Sequence, residues 1–569
     1  MKKKILSMAL AVLMTMGTAG ALTACGGNGG GGSGGSGGSD LPKTQLYVRN
    51  YQGGFGNKWL YNGKDKLEAK YKDVELEPNK KGVEVKITDI KETPQAENIK
   101  NDDYEVYFVE KVQYLYLEKQ GVLEDLTDIV TSVSSYDGKK IEEKLTKEQR
   151  DFYGIDKNGT KRYYALPHYF APLGIVYDID LFEDRGYYFA KGYENEKTLE
   201  DKFVADKDSP RSAGPDGIPS NDDDGLPATY EDFWNLCEYI VKDGYTPLNW
   251  GGVEASKYYV TALMFQLAAN YQGAEEFMRN FTMEGELSEV VKLDGNGNVV
   301  MGANGVPETE KVTLDPSQNN GYETFRTLAL YYGLDFVKTL MNKSAVYAIE
   351  NNVKSQSYNA FQAQKDYVAS RFSKTIRRQA MLIEGSWWDS EASSYFEKNE
   401  PLGGGKKDCR YGWLPLPNAT KEQVGKNKNT LVNNINSLCF VKKGLNDVKK
   451  QLALDFVQLM NSDESLVDFT VQTNAFKDLT YDLSSTQVSG LSPFGQNMYK
   501  DWKNFDKINP NNSNEQFYNT VYNVDITRRF AISTMDIFPA VKFASSNMTT
   551  KEYFAKVYDY TRKSISVWN

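Results

Sequence analysis

Histidine is almost missing from this sequence: His168 is the single one in 569 residues. Chemistry that needs two or more imidazoles, in a metal centre or an acid–base relay, is thereby excluded. Cysteine is scarce too, with only Cys25, Cys237, Cys409 and Cys439 and no CxxC spacing, so neither a redox pair nor a cysteine-rich metal site is indicated. A Cys409–Cys439 disulfide is compatible with the sequence and not fixed by it. Excess positive charge is also lacking: 67 Lys and Arg against 77 Asp and Glu leave a net charge of −10. The lysines are scattered as on a solvated surface, which argues against nucleic acid as a partner. No apolar run beyond residue 40 approaches the roughly 20 residues that span a bilayer. The Gly-rich turn at 51–56 lacks both GxxxxGK[ST] and GxGxxG spacing, which rejects nucleotide binding there.

The N-terminus carries a processing signal: Lys2-Lys3-Lys4, an apolar stretch from Ile5 to Met16, then small residues leading to Leu22-Thr23-Ala24-Cys25. The stretch is short and broken by Gly17 and Gly20, so residues 1–24 read as a cleaved signal peptide rather than a transmembrane helix. Leu-Thr-Ala-Cys resembles the bacterial lipobox, which implies a diacylglycerol on Cys25; two acyl chains meet the requirement for stable anchoring. An ordinary thiol behind a plain signal peptide is the alternative. Cleavage removes three lysines and takes the net charge from −10 to about −13. Gly26 to Ser39 contain only Gly, Ser and one Asn, a flexible coil with a reach on the order of 20 Å. Residues 25–40 are thus expected to be a lipidated tether.

Aromatic residues are abundant, with 38 Tyr, 27 Phe and 8 Trp. Tyr and Trp pair a flat apolar face with a polar tip, which suits a sugar ring with C–H plates and hydroxyl edges, although aromatics also fill cores. Along the chain, strand-like and helix-like segments alternate, which predicts α/β lobes. Strands are expected at Gln45–Val48, Val83–Ile90, Tyr104–Val109, Tyr163–Pro167 and Gly174–Leu181. Further strands are expected at Ala380–Ile383, Tyr411–Leu416 and Ser437–Val441, with a hairpin across Val290–Val300. Thr229-Tyr230-Glu231-Asp232 carries the signature of a helix start.

Several segments, in order, resemble family 1 extracellular solute-binding proteins, the group that includes the maltose-binding proteins. They are Tyr164-Ala165-Leu166-Pro167, the run Gly174 to Phe182, Leu226 to Phe233, Ala380 to Trp388, and Tyr411 to Pro417. The resemblance spans about Gln45 to Asn461, with extra chain around 185–228 and 280–320. It implies a periplasmic-binding-protein-like α/β fold: two lobes, residues 41–170 plus 428–475 and 171–427 plus 476–569, hinged about a solute cleft. It further implies an oligosaccharide receptor that delivers its ligand to the transmembrane subunits of an ABC permease. Such a protein is a monomer, not an enzyme, requires no cofactor, and sits outside the cytoplasm on a bacterial, Gram-positive surface, with a periplasmic placement as the alternative. A receptor for a peptide or other solute, and a carboxylate-based glycoside hydrolase, are the competing functions.

By this resemblance Trp387 is the expected sugar-stacking residue, with Trp388 beside it and Glu384 and Asp389 as hydroxyl acceptors. Tyr51, Gln52 and Trp59 flank the Gly-rich turn, where backbone can approach a ligand. Asp103 and Glu110 flank a strand, and Asn249 and Trp250 end another. His168 and Tyr169 lie at a candidate crossover between lobes. Asp216, Asp222, Asp223 and Asp224 crowd one loop and offer the hard oxygen ligands that calcium takes; structural Ca²⁺ and a solvated acidic loop both stay open.

Overall fold

The computed structural model describes residues 41–349, 351–512 and 530–564. The signal segment, Cys25 and the tether lie outside the described residues. Two sheets organise the rest. In the first, the strands run in the order Val83–Ile90, Thr44–Tyr51, Val106–Glu110, Ser437–Val441, Leu166–Pro167. The first three are parallel, and Ser437–Val441 enters antiparallel from far along the chain. Val106–Glu110 is buried throughout, as a central strand covered on both faces must be.

In the second sheet the order is Tyr411–Trp413, Leu173–Asp178, Gln379–Gly385, Thr246–Asn249. Gln379–Gly385 runs antiparallel to Leu173–Asp178 and parallel to Thr246–Asn249. The strand expected to continue to Leu181 stops at Asp178, whose side chain accepts from the Leu181 N–H at 3.1 Å and caps the helix Ile179–Arg185. A capping side chain there satisfies a helix donor that a continued strand would not need.

Helices cover both sheets. On the first, Lys58–Lys70 buries Trp59, Leu60, Gly63 and Leu67 against Asp447–Met460 and Asp463–Thr473. A Cβ on Gly63 would fall 2.1 Å from the Met460 sulfur, so the close helix approach depends on glycine. Beside the second sheet, Tyr230–Lys242 starts at Thr229, which exchanges bonds with Asp232 as a capping box. The hairpin expected across 290–300 is present as a tight turn, with Leu293 bridging Val299 and the Val300 N–H donating to the Lys292 carbonyl at 3.0 Å, and it lies within a larger ribbon that pairs Gly285–Val291 with Thr309–Leu314.

Three chain segments pass between the two sheets side by side. Tyr169–Phe170 pairs antiparallel with Phe476–Lys477, and Asn433 Oδ1 accepts from the Ala171 N–H at 3.0 Å. Among the described residues no helix is long and apolar enough to cross a membrane.

Candidate functional site

The loop that leaves the strand Thr44–Tyr51 meets the turn that leaves Gln379–Gly385. A Cβ on Gly54 would lie 3.0 Å from both Cβ and Cδ1 of Trp387, so glycine backbone from the first sheet rests on the indole from the second. Trp387 is 8% exposed. Tyr259 crosses its ring edge to face, with centroids 5.8 Å apart at 71°.

Carboxylates from both sides surround this contact. Glu110 ends the central strand of the first sheet, is 6% exposed, and lies 3.0 Å from a Cβ built on Gly53. Glu384 stands on the second sheet and Glu391 one helical turn beyond Trp387. The Gln364 amide holds the latter two together, donating to Glu391 at 2.7 Å and Glu384 at 3.2 Å. Glu384 also accepts from the Gly385 N–H at 3.0 Å.

Burial pushes Glu110 up to about 8; Lys111 opposes the shift and the charge of Glu391 adds to it. Burial pushes Glu384 up to about 8 as well, with Glu391 adding and the Gly385, Gln364 and Trp387 donors opposing. Glu391 is raised by burial, against Gln364 and Lys91. Tyr51 is pushed up to about 12 by burial and by Glu110 and Glu92. Burial raises Tyr259 well above the usual phenol range, and Glu384, Glu391 and Glu110 add to the shift. The result is an aromatic wall ringed by hydrogen-bond acceptors, with no ion pair to any of the three glutamates among the described residues. Such a surface can stack a ring and accept its polar hydrogens.

Of the residues expected at a site, the fold gathers Tyr51, Glu110, Glu384 and Trp387, with Gln52 exposed on the same loop. The others are occupied elsewhere. Trp388 is fully buried among Tyr367, Phe396, Tyr411 and Phe494. Asp389 accepts from Ser492 at 3.1 Å and pairs with Lys406 at 2.8 Å. Trp250 is fully buried, its indole N–H donating to Ser256 and the Asn352 carbonyl. Asn249 is spent on Gln379, Asn352 and the Ala363 carbonyl. Trp59 and His168 pack on each other with Phe108 and Phe469, and Tyr169 stacks on Phe469 and edges Phe55. Asp103 is exposed, before the N-terminal end of the strand that presents Glu110 at its other end.

Three participants were not anticipated. Glu391 had a signal, its i+4 spacing from Trp387 on a helical turn. Gln364 and Tyr259 had none: the first depends on a helix docking, the second on the π-helical segment Ser256–Val260, a device often found at functional sites.

The acidic loop is largely self-satisfied. Asp216 accepts from the Ile218 N–H at 2.7 Å and from Asn221 at 2.8 Å, Asp223 from the Asp216 N–H at 3.3 Å, and Asp224 from the Ser220 N–H at 2.8 Å. Asp222 pairs with Lys500. One oxygen each of Asp223 and Asp224 is left without a partner, and among the described residues no set of three or more His, Cys, Asp or Glu is gathered as metal ligands. The calcium expectation thus finds no gathered ligand set. Cys237, Cys409 and Cys439 are all free and buried. A disulfide does not join Cys409 to Cys439, because Cys439 sits in a first-sheet strand and Cys409 packs in the cluster around Trp388.

A separate cavity of about 940 Å³, lined by Gln149, Phe170, Asp478 and Trp502 among others, shares no residue with the Trp387 cluster. Of its acids, the buried Asp478 is already partnered, accepting from Asn509 at 3.0 Å. One wall includes Asn512.

No protein-family model and no curated protein matches the sequence. Among solved structures, a chitin oligosaccharide binding protein superposes with a TM-score of 0.53 at 14% identity, over 91% of this chain and 98% of that one. The bacterial solute receptor AcbH does so at 0.50 and 13% identity, over 91% and 99% of the two chains. The fold is therefore periplasmic-binding-protein-like: two α/β lobes, with the Trp387 cluster where they meet.

Proposed function

We propose that this protein is the solute-binding component of an ABC importer, capturing an oligosaccharide between its lobes and delivering it unchanged to a membrane permease. The observation that carries the reading is the meeting of Gly54 and Trp387 inside a ring of carboxylates drawn from both lobes. A ring seated there gains a stacking face and acceptors only when the lobes close on it, so ligand binding favours the closed state. The two similar structures support this, one named for chitin oligosaccharide and the other for a preference for b-D-galactopyranose.

The lobes are assigned as 41–170 plus 428–475 and 171–427 plus 476–569. The lipobox-like Leu22–Cys25 and the Gly/Ser tether support lipid anchoring of a monomer on the outer face of a Gram-positive membrane. Calorimetric titration over a panel of glycans, followed by analysis of the recovered sugar, tests the function. Saturable binding with the glycan returned intact is expected. Repeated turnover of the glycan, or silence across the panel, would overturn it.

A further inference from the structure

The acceptor ring gathers three carboxyl groups with no cation bonded to them among the described residues, and a neutral sugar brings none. Glu110 of one lobe lies against Gly53, whose neighbour Gly54 rests on Trp387, and Glu391 of the other lobe stands one helical turn beyond that tryptophan. Glu110 is 6% exposed, and its carboxylate has no hydrogen-bond or ion-pair partner among the described residues. Glu384 and Glu391 share the Gln364 amide, and only Glu384 accepts a further bond, from the Gly385 N–H. Lys91 and Lys111, whose charges act on Glu391 and Glu110, are exposed and bond to none of the three. An unpaired buried carboxylate is costly, and the cost is met either by taking up a proton or by receiving a cation. Hydroxyl groups supply donors but leave the charge. An ammonium group supplies donors and charge together, with hydrogen bonds roughly twice as strong as neutral ones, and the Trp387 and Tyr259 faces attract a cation as well.

Resting on the sugar reading above, we infer that the subsite between Glu110 and Glu391 takes a sugar residue bearing a free, protonated amine, so that the preferred ligand is an amino-sugar oligosaccharide. The amine bridges the two lobes at the place where their carboxylates otherwise repel.

The test uses the mature chain and three trisaccharides of one linkage that differ only at C2: glucosamine, N-acetylglucosamine and glucose oligomers. In calorimetry at pH 7, the glucosamine trimer is expected to bind at least about tenfold more tightly than either of the others, and to lose affinity as salt rises. The isosteric Glu110→Gln variant, checked for folding by its melting curve, is expected to cut that preference below about twofold. Equal or tighter binding of the glucose or N-acetyl trimer overturns the amine assignment and leaves sugar capture standing. So does failure of all three while other neutral glycans bind. Silence with every glycan overturns sugar capture and this inference together.

Discussion

Two buried charged clusters in this protein are built on opposite plans. In the cleft, Glu110, Glu384 and Glu391 gather with no cation bonded to them among the described residues. Beside the crossover strands, Lys477 is 1% exposed and pairs with no carboxylate among the described residues: its Nζ lies 2.7 Å from His168 Nδ1 and 4.2 Å from the centre of Trp59, with Phe469 and Phe108 at 4.8 and 5.3 Å. The lysine is sheltered by aromatic faces that stay in place, whereas the glutamates are sheltered only while the lobes touch. The first arrangement is part of the folded core; the second is complete only with something between its halves.

The predictions sharpen this contrast. The largest effect is expected at Trp387: Trp387→Ala removes the stacking face and should weaken glycan binding about 10- to 100-fold by calorimetry, from a loss of about 1–3 kcal/mol. Gly54→Val comes next. Its side chain meets Trp387 where even a Cβ would sit at 3.0 Å, so it should hold the lobes apart and weaken binding about tenfold, with a larger radius of gyration in small-angle scattering.

The pH responses should run in opposite directions. Burial raises Glu110 and Glu384 to about 8; opening the lobes lets water back to Glu110 at least, so the closed form binds more protons than the open one. Its advantage is full below the ordinary glutamate value and is lost as pH rises toward 8. Scattering from the ligand-free protein should therefore show expansion between about pH 5 and pH 9, and Glu110→Gln should blunt it. Lys477 is lowered from 10.5 to about 7 by burial. There the unfolded chain holds the extra proton, so its contribution to stability rises between pH 7 and 10.5. Lys477→Met should remove that rise from denaturation curves and be neutral or stabilising near pH 7.

The smallest effect on binding is expected at Trp388. Trp388→Phe should lower the melting temperature by several degrees and leave glycan affinity within about twofold, because that indole touches only the core.

Much of the fold was legible because alternation and capping are local. Thr229 with Asp232 marks its helix, and the runs at 83–90 and 437–441 mark their strands. The candidate site was legible only in part. Trp387, Glu384, Glu110 and Tyr51 lie at strand ends, which sequence can place. The residues that fell away are buried tryptophans and amides such as Trp59, Trp250 and Asn249, whose polar atoms find partners more than 100 positions away or in a neighbouring turn. A Trp that stacks on a ligand and a Trp that fills a core have the same local pattern; packing between distant segments decides which is which. Gln364 and Tyr259 were hidden for the same reason.

The central claim is that the contact between Gly54 and Trp387 marks the ligand's place. A crystal structure of the protein with a bound glycan tests it most directly. A sugar ring lying on the Trp387 indole at van der Waals distance, with its polar hydrogens on Glu110, Glu384 or Glu391, is the predicted result. A glycan seated in the cavity beside Asp478 and Trp502, with Gly54 still resting on Trp387, would contradict it.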